Sequence, residues 1–193
     1  MKKISYKWGK EMKHALVIGG TGMLANVTLW LLDNNYQVSI IARDSQKMES
    51  LINKSANKSY ITPVLVNYEN DNKLRKELEL LINKKGPIDL VIAWIHTGAI
   101  HALPSILEVI SNTSELWELY HVLGSSNDLN EIKKNLTIKN NCLYRQIQLG
   151  FVIQKLTSRW LTNNEISNGV IEAIIKRRDQ HIVGKIEPWD RRP

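Results

Sequence analysis

Short apolar runs alternate with longer amphipathic ones along most of this chain. Residues 14–19 form a short apolar run suited to a buried strand, and 22–34 place Leu24, Val27, Leu31 and Leu32 at helical spacing. A second strand is predicted over 37–43, followed by a helix that Asp44 can cap and that runs to about residue 55. A third strand over 61–67 precedes a charged helix over 70–85 with Leu74, Leu78, Leu81 and Ile82 on one side, ended by Gly86-Pro87. The nearly unbroken apolar run 88–95 reads as a central parallel strand covered on both faces. A helix within 97–111 must accommodate Pro104 near its start or kink there. Further strands are predicted over 116–124, 142–152 and 181–186, with a short polar helix over 127–136. Thr162 and Glu165 form a capping box that opens a helix to about residue 178.

This βα alternation predicts an α/β fold of the Rossmann-like, doubly wound kind. Its mostly parallel sheet should have about seven strands and right-handed crossovers. Any ligand should lie beyond the carboxyl ends of the strands. The expected organisation is a basic arm over 1–13 and a single Rossmann-like domain over 14–193. The uncharged stretch 15–32 after a basic start imitates a signal peptide or membrane span, but Gly19, Gly20, Gly22, Asn26 and Thr28 interrupt it and its two halves differ in period.

Composition narrows the picture further. With 193 residues, 43% hydrophobic and 23% charged, the chain can bury a sizeable core, which argues against disorder or a disulfide scaffold. Its one cysteine, Cys142, excludes an intrachain disulfide and suggests a reducing, cytoplasmic compartment. The net charge of +7 favours anionic partners. Lys2, Lys3, Lys7, Lys10 and Lys13 concentrate much of it in the arm, where a solvated role is favoured over nucleic-acid binding because no recognition motif accompanies them.

The candidate chemistry centres on Gly19-Gly20-Thr21-Gly22-Met23-Leu24-Ala25, between the first strand and the first helix. This is the context of a dinucleotide-binding turn. Gly19 and Gly20 permit a tight turn, Gly22 lets the backbone approach a pyrophosphate, and Ala25 lets the helix pack closely. The helix N-terminus, with the amides of residues 19–24, then faces the phosphates. At the end of the second strand, Arg43 can pair with a 2′-phosphate, assisted by the charge of Lys47, which favours NADP. Asp44 can instead accept ribose hydroxyls, as NAD would require, unless its capping role occupies it.

These features resemble the short-chain dehydrogenase/reductase family over most of residues 14–187. The resemblance rests on the GGTGMLA turn, Ala42-Arg43-Asp44, the sequential βα layout and Gly124-Ser125 at the end of strand five. It implies that Asn67 and Tyr68 flank the adenine, and that Ala93, Trp94, Ile95 and His96 line the cofactor near the nicotinamide ribose. It also implies that Leu149-Gly150-Phe151-Val152 borders the nicotinamide.

The chain departs from the family in its chemistry. The family uses a Tyr general acid, a Lys four residues later and a Ser on the preceding strand. Ser125 matches the Ser, but Tyr144 has Gln148 at the lysine position and lies on a predicted strand, while Tyr6 and Lys10 lie in the arm. Only 16 residues separate Ser125 from Cys142, so the helix expected to carry the pair is shortened. Ser125 and His96 remain the candidate catalytic residues, each with a structural reading beside it. His121 and Cys142 read as structural. No metal-ligand spacing occurs, so no metal is expected. Arg159-Trp160 and residues 188–191 form a candidate subunit interface of a homo-oligomer. Two readings follow. One is an NADP(H)-dependent oxidoreductase acting on a small carbonyl or enone with an atypical proton source. The other is a non-catalytic NAD(P)(H)-binding sensor.

Overall fold

The computed structural model describes residues 12–155 and 157–193. Apart from Met12 and Lys13, the expected N-terminal arm therefore lies outside the described residues. The chain runs β1 (Lys13–Ile18), α1 (Ala25–Asp33), β2 (Tyr36–Ala42), α2 (Ser45–Lys54), β3 (Ile61–Leu65), α3 (Asp71–Lys85), β4 (Leu90–Trp94) and α4 (Ala102–Ser111). It continues with β5 (Trp117–Leu123), α5 (Leu129–Lys134), β6 (Cys142–Leu149), β7 (Phe151–Gln154), β8 (Thr157–Trp160), α6 (Asn163–Lys176) and β9 (Gln180–Val183).

Seven strands form one sheet in the order β3-β2-β1-β4-β5-β6-β9, and every neighbouring pair is parallel. The chain winds outward one way from β1 to β3 and the other way from β4, so the order reverses between β1 and β4. Loops diverge at such a switch point and leave a crevice. The apolar runs become the buried central strands: Ala15 to Ile18 and Val91 to Ala93 are fully excluded from solvent. One core lies between the sheet and α1, α2 and α6. The other lies between the opposite sheet face and α3 and α4. Among the described residues, no helix is long and apolar enough to cross a membrane.

The structure divides the predicted strand over 142–152. β6 ends at Leu149, and the chain turns at Gly150 into the antiparallel hairpin β7–β8. A Cβ at Gly150 would sit 2.0 Å from the carbonyl oxygen of Lys185, so only glycine fits. Phe151 then exchanges backbone hydrogen bonds of 2.8 and 2.9 Å with Lys185.

The predicted capping box is present at α6. The Thr162 hydroxyl accepts from the Glu165 amide, and the Glu165 carboxylate accepts from the Thr162 amide at 2.8 Å. The expected short helix is α5, which has six residues, none of them buried.

Candidate functional site

The glycine turn projects from β1 at the switch point. Gly19 has φ +82°, and a Cβ there would also press on the Trp94 carbonyl oxygen at 3.3 Å. A Cβ on Gly20 would meet the Thr28 hydroxyl oxygen at 2.8 Å and methyls of Val17 and Ile40 at 3.0 Å. The close approach of helix and strand therefore occurs at Gly20, and the Thr28 hydroxyl secures it by donating toward the Gly20 carbonyl at 3.3 Å. Ala25, assigned that role from the sequence, is only partly buried. At Gly22 a Cβ would meet nothing nearer than 3.8 Å, so the protein's own packing does not demand glycine there.

Gly22 donates to Gly19 and Ala25 donates to Gly22, which closes the turn. The amides of Thr21 and Met23, both on the cleft over this turn, donate to no acceptor among the described residues. Open amides at a helix start, with the partial positive charge of the helix dipole, suit an anion.

A cleft of about 280 Å³ runs over this turn and includes Gly19, Thr21, Gly22, Met23, Arg43, Asp44, Lys47, Tyr68, Trp94 and His96. Two cations thus stand on the same cleft as the free amides. Arg43 has only a distant ion pair, 3.9 Å to Glu69, with both side chains about half exposed, so this pair holds it weakly. Asp44 accepts from the Lys47 amide at 3.0 Å and caps α2, which occupies one of its oxygens. Tyr68 enters the cleft, whereas Asn67 turns outward to bond Glu69. Gly20, Leu24 and Ala93 are buried in the supporting framework, and Ile95 faces a different cavity.

A second cleft, of about 320 Å³, shares Met23 and Trp94 with the first. Its other walls include Ser125, Leu149, Gly150, Trp160 and Arg192. Ser125 is buried, and its hydroxyl has no partner among the described residues. The two candidate catalytic residues are not brought together. His96 is exposed, stands edge-on to Trp94 at 6.4 Å, and lines the first cleft but not the second.

A third cavity, of about 560 Å³, opens between α4, α5 and the carboxyl ends of β4 and β5. Trp94 borders all three spaces. The sheet face beneath α5 is unusually polar for a buried surface: His121, Tyr144, Gln146 and Gln148 all point toward it. The two glutamines bond backbone carbonyls of Leu129, Ser125 and Asn127. His121 Nδ1 lies 2.9 Å from the Tyr144 hydroxyl. Burial holds the His121 imidazole neutral, its pKa lowered to about 4, and pushes the Tyr144 phenol up to about 12. The sequence reading missed this pair because the two residues lie on different strands and nothing in either strand's own sequence brings them together. The available signal was alternation, since residues 144, 146 and 148 are all polar at every second position of one strand.

Similar architectures occur among solved structures. An actinorhodin polyketide ketoreductase with NADPH superposes with a TM-score of 0.69 at 10% identity, over 91% of this chain and 97% of that one. A short-chain dehydrogenase from Novosphingobium aromaticivorans gives 0.67 at 10% identity, over 92% and 82%. The fold is that of the short-chain dehydrogenases/reductases. An alcohol dehydrogenase of this shape from the archaeon Thermococcus sibiricus, complexed with 5-hydroxy-NADP, gives 0.65 at 11% identity, over 89% and 96%. No family model matches the sequence, and no curated protein matches it. In this short-chain dehydrogenase/reductase fold, the six-residue α5 stands where the sequence predicts a shortened helix, and it contains no tyrosine.

Proposed function

We propose that this protein binds NADP(H) across the switch-point crevice and acts as an oxidoreductase on a small carbonyl or enone. The free amides of Thr21 and Met23, on the cleft that leads to Arg43 and Lys47, carry the reading. The fit is chemical. The amides and the α1 dipole suit a pyrophosphate, the open space at Gly22 admits it, and the two cations suit a 2′-phosphate. Bound there, the reduced cofactor supplies a hydride. The neighbours solved with NADPH and 5-hydroxy-NADP support the same choice of dinucleotide.

The chain's own groups do the remaining work. Trp94 stands between the two clefts and lies alongside any molecule that spans them. Trp160 and Leu161 give the second cleft an apolar wall, and the free Ser125 hydroxyl orients a polar oxygen there. His96 stands at the rim, where it can exchange a proton with solvent.

Titration with NADPH and NADH, following tryptophan emission, tests this reading. NADPH should quench emission with energy transfer to the nicotinamide, and Arg43→Ala should reduce the preference for NADPH over NADH by about tenfold, the value of one lost charged hydrogen bond. Absence of binding by either nucleotide rejects the proposal. A second reading, a non-catalytic sensor, draws on the missing tyrosine of α5. Tight binding without oxidation of NADPH across a carbonyl and enone panel would favour it.

A further inference from the structure

The third cavity has the size of a small-molecule site, about 560 Å³, and its walls are mainly apolar: Ile95, Ala99, Leu103, Val122, Ile132 and Leu136. His121 contributes its floor and is only 7% exposed. The imidazole Nδ1 is engaged by Tyr144, whereas Nε2 has no partner among the described residues and is not sealed from the cavity.

The proton arrangement follows from satisfying buried groups. We assign the Tyr144 hydroxyl as the donor to Nδ1, the arrangement that satisfies both buried groups. A neutral imidazole that accepts at Nδ1 carries its hydrogen on Nε2. The cavity therefore presents a fixed N–H donor on its buried floor between largely apolar walls, with the polar side chains of His96, Thr97, Ser126, Asn127 and Asn135 also on its lining, a pattern that suits a compact, largely apolar molecule bearing a hydrogen-bond acceptor.

We infer that this cavity is the substrate pocket, taking a compact, largely apolar carbonyl compound whose oxygen accepts from His121 Nε2–H. The inference rests on the reductase reading for the word substrate, but not for binding itself. The cavity meets the dinucleotide clefts at Trp94, and it shares Gly124 and Ser126 with the second. A molecule held there lies against the same wall as the proposed cofactor. Tyr144 serves as a positioning residue, since it fixes the tautomer of His121.

Ligand-observed NMR with indanone and indane, two bicycles that differ by the carbonyl oxygen, tests the pocket directly, with and without NADPH. Indanone should bind about fivefold to tenfold tighter, the usual worth of one net hydrogen bond. Tyr144→Phe should shrink that preference, and the imidazole nitrogen shifts of His121 should report mixed tautomers. Because Tyr144→Phe lies on a buried strand and could perturb folding, Ile132→Trp supplies an independent arm. It fills the cavity from the partly exposed α5, so it should abolish binding of both bicycles and leave the NADPH dissociation constant, read by calorimetry, unchanged. Equal affinity for the two bicycles, no binding of either, or binding indifferent to Ile132→Trp overturns the inference. Indanone binding that survives while NADPH fails to bind preserves the pocket and rejects the reductase reading.

Discussion

Three glycines within four residues perform different work, and substitution separates them. Gly20→Ala drives a methyl into Thr28, Val17 and Ile40, and overpacking of this kind costs about 1–3 kcal/mol in urea unfolding. Gly22→Ala meets open space and should leave stability within about 0.5 kcal/mol, yet weaken NADPH binding at least tenfold by occupying the phosphate's approach. If Gly22→Ala binds NADPH normally, the turn is not a phosphate cradle. His121 makes a separate prediction about acid stability. Its pKa falls from 6.5 in the unfolded chain to about 4 in the fold, so between those values only the unfolded state takes up the proton. Stability therefore declines as pH drops through this window, by roughly 3 kcal/mol at its lower end. Buried His14 and His181, also lowered, act with the same sign. Urea unfolding at pH 7 and pH 5 should show a loss about 2 kcal/mol smaller in His121→Gln than in the natural chain. The glycine turn was legible because its chemistry is contiguous in sequence. The His121–Tyr144 contact was not, since 23 residues and a crossover separate the partners.

Among the elements, α6 and the hairpin show how local signals join distant parts. Arg159 of β8 makes paired contacts of 2.8 and 2.9 Å to Glu165, the same carboxylate that closes the capping box. Thr162→Ala should cost about 1 kcal/mol in urea unfolding, and Thr162→Ser should retain most of it, because the hydroxyl rather than the methyl makes the cap. The hairpin was not legible. Phe151, Val152 and Ile153 are strand-forming residues that read as a continuation of β6, and the hairpin's turn places a lysine, Lys155, at φ +50° where glycine or asparagine would have marked it. Only Gly150 records the break, and its reason is the backbone of Lys185, 35 residues away.

At the scale of the molecule, the architecture was readable because central parallel strands are buried on both faces and so announce themselves as continuous apolar runs. The order of strands then follows from short right-handed crossovers with few alternatives. The cavity beside α5 had no such announcement, since it arises from a helix too short to cover the sheet below it. That helix also buries no side chain. Its hold on the sheet is mainly polar, through the bonds from Gln146 and Gln148 to carbonyls of Leu129, Ser125 and Asn127, so fraying of this one corner breaks those bonds but is smaller than disruption of the strands. A visitor broader than the rim can therefore be let in without loosening the remainder of the protein, and once seated it stiffens the very corner that yielded to admit it.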